Sequence, residues 1–189
     1  MRKLAVFNHV SLDGYFVDAN GDMSFAHRRS PDAEWDAFVA GNASGGGALV
    51  FGRITYALMA GFWPSPLAME STPVVAERMN NLPKVVFSRT LHKAAWSGTK
   101  LVNGELIGEV RKLKGEAGDD MVILGSGSIV AQLAPHGLID AYQIVVNPVV
   151  LGKGRTMFEG IRDKVPLKLT NTRSFANGNA LLSYEPTAS

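Results

Sequence analysis

Five short runs of apolar and β-branched residues constrain this chain more than any other feature: "LAVFNHV" (4 to 10), "ALVF" (48 to 51), "KVVF" (84 to 87), "MVIL" (121 to 124) and "AYQIVVNPVVL" (141 to 151). They lack the strict polar and apolar alternation of a half-solvated sheet, so they suit strands covered on both faces. Strands of that kind are mostly parallel and are joined by helical crossovers. The intervening segments supply them. "SPDAEWDAFVAG" has Ser30 as N-cap, Pro31 at the first helical position, Glu34 and Asp36 in the first turn and Gly41 as a stop. "NGELIGEVRKLKG" (103 to 115) repeats the pattern, with Asn103 before it, Glu105 early, Lys112 and Lys114 late, and Gly115 after. Met59 to Leu82, with Pro64, Pro66 and Pro73, reads as a long loop with room for one short helix. Near the end "LKLTNTRSF" and "ALLSYE" flank Asn177-Gly178, the dipeptide favoured in type I′ hairpins. The expected fold is α/β: one domain over 1–189, with a central, mostly parallel sheet flanked by helices on both faces and finished by an antiparallel C-terminal hairpin.

Composition removes several classes of function. A chain of 189 residues, 46% hydrophobic, is long enough for one sizeable core. With 19 basic and 17 acidic residues the formal charge is only +2, and the basic residues form no stripe, so nucleic acid is not an expected partner. No cysteine is present, which excludes disulfides and thiolate zinc sites. His9, His27, His92 and His136 show no metal-ligand spacing, so no metal is expected. Asn8 and His9 interrupt the first apolar run before it reaches the length of a secretory signal, and no stretch attains the roughly 18 apolar residues of a membrane span. A cytoplasmic protein with a small-molecule substrate is expected.

Chemistry concentrates where the strands end. "VILGSGSIVAQL" (122 to 133) passes from a strand through Gly125, Ser126, Gly127 and Ser128 into an apolar helical stretch. A helix start at a strand end presents unpaired N–H groups, which suits an anion, although a capped helix after a buried strand reads equally well. The turn is no Rossmann fingerprint, because Val130 replaces the third glycine, and "LGKGRT" (151 to 156) is no P-loop, because Gly154 follows Lys153. "VFGRITY" places Gly52 and Arg53 at one strand end with Thr55 in the next helical turn, and "VVFSRT" places Ser88 and Arg89 at another. Two strand-end guanidinium groups beside a glycine-serine turn fit a pyrophosphate and a ribose phosphate.

Together these stretches resemble the dihydrofolate reductase-like fold, and within it the riboflavin-biosynthesis reductase domain, the C-terminal domain of a bifunctional deaminase-reductase. The resemblance rests on "SLDGYF", "GRITY", "FSR" and above all "GSGSIVAQLAPHGLIDAYQIVVNPVVLGKGRTMFEG" (125 to 160), and it covers nearly the whole chain. It implies NADPH, with Gly52, Arg53 and Thr55 on the pyrophosphate, Ser88 and Arg89 on the 2′-phosphate, and Gly125, Ser126, Gly127 and Ser128 on the remaining diphosphate and nicotinamide. It also implies a substrate carboxylate on the first helix, which an ungapped count places at Asp36, with Glu34 as the alternative. Asp13 of "SLDGY" reads either as a turn residue or as part of a loop covering the nicotinamide. Lys153 and Arg155 are candidates for neutralising a substrate phosphate. Without the deaminase half, a stand-alone reductase of a pyrimidine- or pterin-type ring is expected. The alternatives are a dihydrofolate reductase proper and a non-catalytic nucleotide-binding dimeric scaffold. The family also implies a homodimer, for which the apolar "IVVNPVVL" run offers a face that a partner would cover.

Overall fold

The computed structural model describes residues 1–27, 32–44 and 47–187. Its elements run β1 (Leu4–Ser11), β2 (Tyr15–Asp18), α1 (Ala33–Ser44), β3 (Ala48–Gly52), α2 (Arg53–Phe62), α3 (Pro66–Ser71), α4 (Pro73–Asn81), β4 (Lys84–Phe87), β5 (Thr99–Val102), α5 (Leu106–Gly115), β6 (Met121–Leu124), α6 (Gly127–Leu133), β7 (Ala141–Asn147), β8 (Gly154–Thr156), β9 (Leu167–Ser174) and β10 (Ala180–Pro186). Short 3₁₀ helices cover Ser24–His27 and Ala134–His136. Eight strands form one sheet in the order β5-β4-β3-β6-β1-β7-β10-β9, and β2 and β8 form a separate antiparallel pair. The first six of those eight are mutually parallel, and β10 and β9 close the sheet antiparallel. The expected architecture is therefore present, and its hairpin lies at one edge.

Alternate residues of each parallel strand enter different cores, as strands covered on both faces require. Leu4, Val6, Val50 and Ile123 pack with Val110 and Leu113 of α5 and Val130 and Leu133 of α6. On the other face Leu49, Phe51 and Val86 meet Tyr56 of α2, Met79 of α4 and Trp96. Farther along that face Val145, Leu181 and Phe175 meet Phe7 and the α1 residues Trp35 and Phe38. Both aromatic residues of α1 thus serve packing. Lys114, in the last turn of α5 as its sequence position indicates, is buried and donates to the Leu138 carbonyl and the Asp140 carboxylate. That carboxylate also accepts the Leu4 N–H, so the pair fastens α5 to the start of β1.

Local expectations fail where a neighbour changes the outcome. Ser30 and Pro31 lie outside the described residues, and α1 is capped by Asp32, whose Oδ1 accepts the N–H groups of Glu34 (3.0 Å) and Trp35 (3.1 Å). Its Oδ2 accepts Asn177 N–H at 2.9 Å, so one carboxylate joins the helix to the hairpin loop. Gly41 does not stop α1, which continues to Ser44; a glycine inside a helix costs about 1 kcal/mol, which surrounding packing readily outweighs. Glu105, not Asn103, caps α5, because its longer side chain reaches both Ile107 N–H (2.9 Å) and Gly108 N–H (2.7 Å). Gly115 is the last residue of that helix rather than the one after it.

The span Met59 to Leu82 is mostly helical instead of a loop. Pro66 and Pro73 sit at the starts of α3 and α4, where the missing N–H costs nothing. At the hairpin, Asn177 has no positive φ; Gly178 alone is left-handed (φ 87°) and its N–H bonds the Phe175 carbonyl at 2.9 Å. The turn is thus a bulged loop closed by a left-handed glycine, not type I′. The strand expected over 141 to 151 ends at Asn147, since Pro148 cannot donate to a ladder. Strand β7 lies between β1 and β10, with Tyr142 and Val145 buried on opposite faces, so the chain itself covers the first part of the run offered as a dimer surface, while Val150 beyond the strand is exposed.

The small β2·β8 pair depends on one residue without a side chain. A Cβ on Gly154 would lie 2.1 Å from the Val17 carbonyl oxygen. Gly154→Ala is expected to open this pair and leave the eight-stranded sheet closed. Hydrogen exchange should then show lost amide protection confined to residues 15–18 and 154–156, and unchanged protection there would contradict the expectation.

Candidate active site

All six parallel strands deliver their C-terminal ends to one edge. The chain moves outward from β1 through β3 and β4 to β5 and then returns, placing β6 between β3 and β1, so the β3–α2 and β6–α6 turns flank a reversal of strand order. Crevices form at such a reversal. The buried Asn8 of β1 fixes the β6 turn by accepting Gly125 N–H at 2.7 Å while its Nδ2 donates to the Gly125 carbonyl at 3.1 Å. The same Nδ2 lies 2.9 Å from Met157 Sδ. Ser126 is left-handed (φ 55°, ψ 53°), the one non-glycine residue with positive φ among the described residues. Its strained backbone is held from both sides: Ser126 N–H donates to Thr55 Oγ1 at 3.1 Å and Ser126 Oγ accepts Gly52 N–H at 2.8 Å. At Gly125 (φ 61°) a Cβ would stand 2.8 Å from Thr55 Cγ2, so no other residue fits without displacing that partner.

These bonds occupy the Ser126 hydroxyl and the Gly52 N–H. The free first turn of α2 remains, with Arg53 exposed at its head, together with the exposed Ser128 beside it. In the β3·β4 register Gly52 pairs with Phe87, so Arg53 and Ser88 follow neighbouring strand ends. Ser88 Oγ accepts the N–H groups of Leu91 (2.9 Å) and Thr90 (3.2 Å), shaping a turn from which Arg89 projects into solvent.

The other side of the edge is the β2·β8 flap. Asp13 Oδ1 accepts the Ser11 hydroxyl at 2.6 Å and Leu151 N–H at 3.1 Å, and Oδ2 accepts Gly152 N–H at 2.7 Å. The Ser11 donor first, and the two backbone donors after it, pull its carboxyl down to about 2. Asp13 is thus a latch, ionised at neutral pH, between the loops that follow β1 and β7. Lys153 is exposed in the latched loop, and the guanidinium of the exposed Arg155 lies 5.8 Å from the Phe16 ring centre. The Phe16 ring lies so close to Gly127 that a Cβ there would sit 2.9 Å from it, which seats the flap against the start of α6.

On the α1 side, Glu34 pairs with Arg173 at 2.7 Å, whereas Asp36 is exposed and its carboxylate has no partner among the described residues. His9 is half-buried at the end of β1, edge-on to Phe7 (5.6 Å, 86°) and to Trp35 (5.8 Å, 87°), with Nδ1 3.3 Å from Asn147 Nδ2. Burial lowers its pKa to about 4, and the charge of His27 acts in the same direction.

Residues 2–181 match the family model described as the RibD C-terminal domain. The chain belongs to this family. A full-length relative of this RibD C-terminal domain protein, the uncharacterized protein YyaP of Bacillus subtilis, is 26% identical over 183 residues, covering 97% of this chain and 94% of its own. Among solved structures, a putative riboflavin biosynthesis protein from Shewanella sp. PV-4 superposes with a TM-score of 0.74 at 21% identity, covering 98% of this chain and 99% of that one. A Thermotoga maritima diaminohydroxyphosphoribosylaminopyrimidine deaminase/5-amino-6-(5-phosphoribosylamino)uracil reductase gives 0.68 at 17% identity, with 98% of this chain matching 57% of that one. Dihydrofolate reductase from Enterococcus faecalis, complexed with NADP(H), gives 0.64 at 15% identity, covering 98% and 97%. The fold is therefore dihydrofolate reductase-like.

In this RibD C-terminal domain most of the sequence-derived residues gather at one sheet edge in two groups, whereas Asp36 and its alternative Glu34 lie apart from both on α1. Gly52, Arg53, Thr55 and Gly125 to Ser128 are tied together directly, with Ser88 and Arg89 on the adjacent strand end; Asp13, Lys153 and Arg155 share the flap. Sequence reasoning missed Asn8, His9, Asn147, Phe16 and Met157. Their signal was faint but real, since Asn8, His9 and Asn147 are polar residues inside apolar strand runs, where a buried polar group must find a partner.

The depressed His9 pKa has a consequence for acid stability. Above pH 6.5 the ring is neutral in both folded and unfolded chains. Between 6.5 and about 4 the unfolded chain takes up a proton that the fold refuses, so stability falls with falling pH, by about 3 kcal/mol across the window. His9→Gln is expected to flatten this fall between pH 6.5 and 5 in urea unfolding, and parallel profiles for the two proteins would contradict it.

Proposed function

We propose that this protein is an NADPH-dependent reductase of a pyrimidine-type ring, most like the 5-amino-6-(5-phosphoribosylamino)uracil reductase of riboflavin biosynthesis. One observation carries the reading: the stitched β3–α2 and β6–α6 turns present an unpaired helical first turn and Arg53 at the edge of a parallel sheet, with Arg89 on the neighbouring strand end. That donor set fits a dinucleotide bearing an extra phosphate. Arg53, Thr55 and the α2 N–H groups would hold the pyrophosphate, Arg89 with Ser88 the 2′-phosphate, and the Gly125 to Ser128 turn the remaining diphosphate and nicotinamide side. When bound, the nicotinamide supplies the hydride.

The chain's own part is to bind, orient and exclude water. Asp36 is the carboxylate left free to meet substrate, whereas Asp13, with its acceptors filled, orders the flap that covers the ring. Lys153 and Arg155, exposed on that flap, would neutralise a substrate phosphate. The reading extends to a cytoplasmic homodimer. Exposed apolar surface that a partner would cover includes the row Ile54, Leu58 and Phe62 on α2 and Val150 just beyond β7.

NADPH oxidation measured with the pyrimidine intermediate and with dihydrofolate, beside a cofactor titration, tests the reading. Turnover of the pyrimidine is expected; turnover of dihydrofolate alone makes it a folate-type enzyme, and cofactor binding without turnover makes it a scaffold. Arg89→Ala is expected to weaken NADPH binding about 10- to 100-fold, the worth of one charge-assisted contact, while NADH binding stays unchanged. Arg53→Ala should weaken both cofactors. An unaltered NADPH to NADH preference in Arg89→Ala would overturn the 2′-phosphate assignment.

A further inference from the structure

The tautomer of His9 is fixed by its neighbour. Asn147 is buried, and its Nδ2 lies 3.0 Å from the Val10 carbonyl and 3.3 Å from the Val145 carbonyl. Two carbonyl oxygens can face an amide nitrogen but not an amide oxygen, so the Asn147 side chain has one permissible orientation. The group 3.3 Å from His9 Nδ1 is therefore an NH2 that can only donate, its two hydrogens shared among the two carbonyls and the ring nitrogen; a proton on Nδ1 would face those hydrogens, so Nδ1 is the unprotonated nitrogen. A neutral ring accepting at Nδ1 carries its hydrogen on Nε2. That atom has no hydrogen-bond partner among the described residues. The ring cannot readily turn away, because Phe7 on its own strand and Trp35 on α1 both meet it at nearly right angles.

From this geometry we infer that His9 is a specificity-determining residue of the site, its Nε2–H a fixed, uncharged donor for a carbonyl-type acceptor on the substrate ring. The inference rests on the reductase reading and adds the group that would select the ring. Position supports it: His9 lies near the C-terminal end of β1, on the same strand face as Ser11 two residues on, which donates to the flap latch. Its half-buried aromatic neighbours offer apolar surface to a planar ring. The charge of His27 opposes protonation, and Asn147, Phe7 and Trp35, which face the ring from β7, β1 and α1, are uncharged, so the donor stays neutral at physiological pH. A neutral donor suits a carbonyl oxygen, and a ring lacking an acceptor at that place leaves it unpaired, which is how a site rejects a near-isostere.

Two measurements test the assignment. Long-range nitrogen–proton NMR on histidine-labelled protein at pH 7 is expected to show His9 in the Nε2–H form and to shift Nε2 when the pyrimidine substrate or uracil is added. In steady-state assays His9→Phe, which keeps a ring but no donor, should raise KM for the pyrimidine about 10- to 100-fold with the NADPH Kd unchanged, and His9→Gln should recover part of the loss. An Nδ1–H or doubly protonated ring at pH 7 overturns the assignment, as does an Nε2 signal indifferent to both ligands. If the unmodified protein reduces no pyrimidine, the reductase reading fails. If it does and His9→Phe keeps its KM, the His9 assignment alone fails. Should His9→Phe not fold, seen as lost NADPH binding, the NMR result on the unmodified protein decides.

Discussion

The amide of Asn8 makes to both backbone groups of Gly125 the bonds that a neighbouring strand would otherwise have to supply. Strand β6 ends at Leu124, and from there the chain turns through a left-handed glycine and a left-handed serine, a conformation that costs free energy at the serine. It persists because the turn is held on three sides: by Asn8 from β1, by Thr55 and Gly52 from the β3–α2 turn, and by Phe16 and Met157 from the flap. Three loops from distant parts of the sequence thereby acquire one fixed relative position. Everything proposed about cofactor binding depends on that position, because backbone donors recognise an anion only when they converge.

Polar groups at this edge divide into those spent on structure and those left over. Ser126 Oγ, Gly52 N–H, the Asn147 amide and the Asp13 carboxylate are engaged by neighbouring protein groups. Arg53, Arg89, Ser128 and Asp36 are exposed, and His9 Nε2 has no partner among the described residues. Of the spent groups Ser126 and Asn147 are buried, and the spare ones mostly face solvent. A preorganised site has this character, with the rigid groups aiming the free ones.

The sequence made the large-scale order legible because it is carried by local signals: runs such as "ALVF" and "MVIL" are strands at the residues expected, and their lack of alternation announced a sheet covered on both faces. The strand-end positions of Gly52, Arg53 and Gly125 followed from that. Features made by tertiary contacts were not legible. Asp32 caps α1 while also bonding the hairpin loop, a function that reading forward from Ser30 could not reveal. Pro66 and Pro73 begin helices, but proline alone does not distinguish a start from a break. Strands β2 and β8, of four and three residues, are too short for a periodicity and exist because Asp13 latches their loops together. The partner of His9 lies 138 residues away, and no spacing rule spans that distance.

The insertion of β6 beside β1 also governs how the molecule can be assembled. Strand β1 leaves the ribosome before either of its neighbours: Asn8 and its partner Gly125 are separated by 117 residues, and the strand on its other side, β7, comes later still. Until β6 and β7 have been synthesised, an apolar strand waits without either neighbour. The β3–β4–β5 unit, whose strands pair in sequence order, can form in the meantime and present an open edge at β3. Closure of that edge by β6 and capture of β1 therefore belong to one late, non-local step, so the candidate site, which straddles this seam, is completed only as the whole sheet closes.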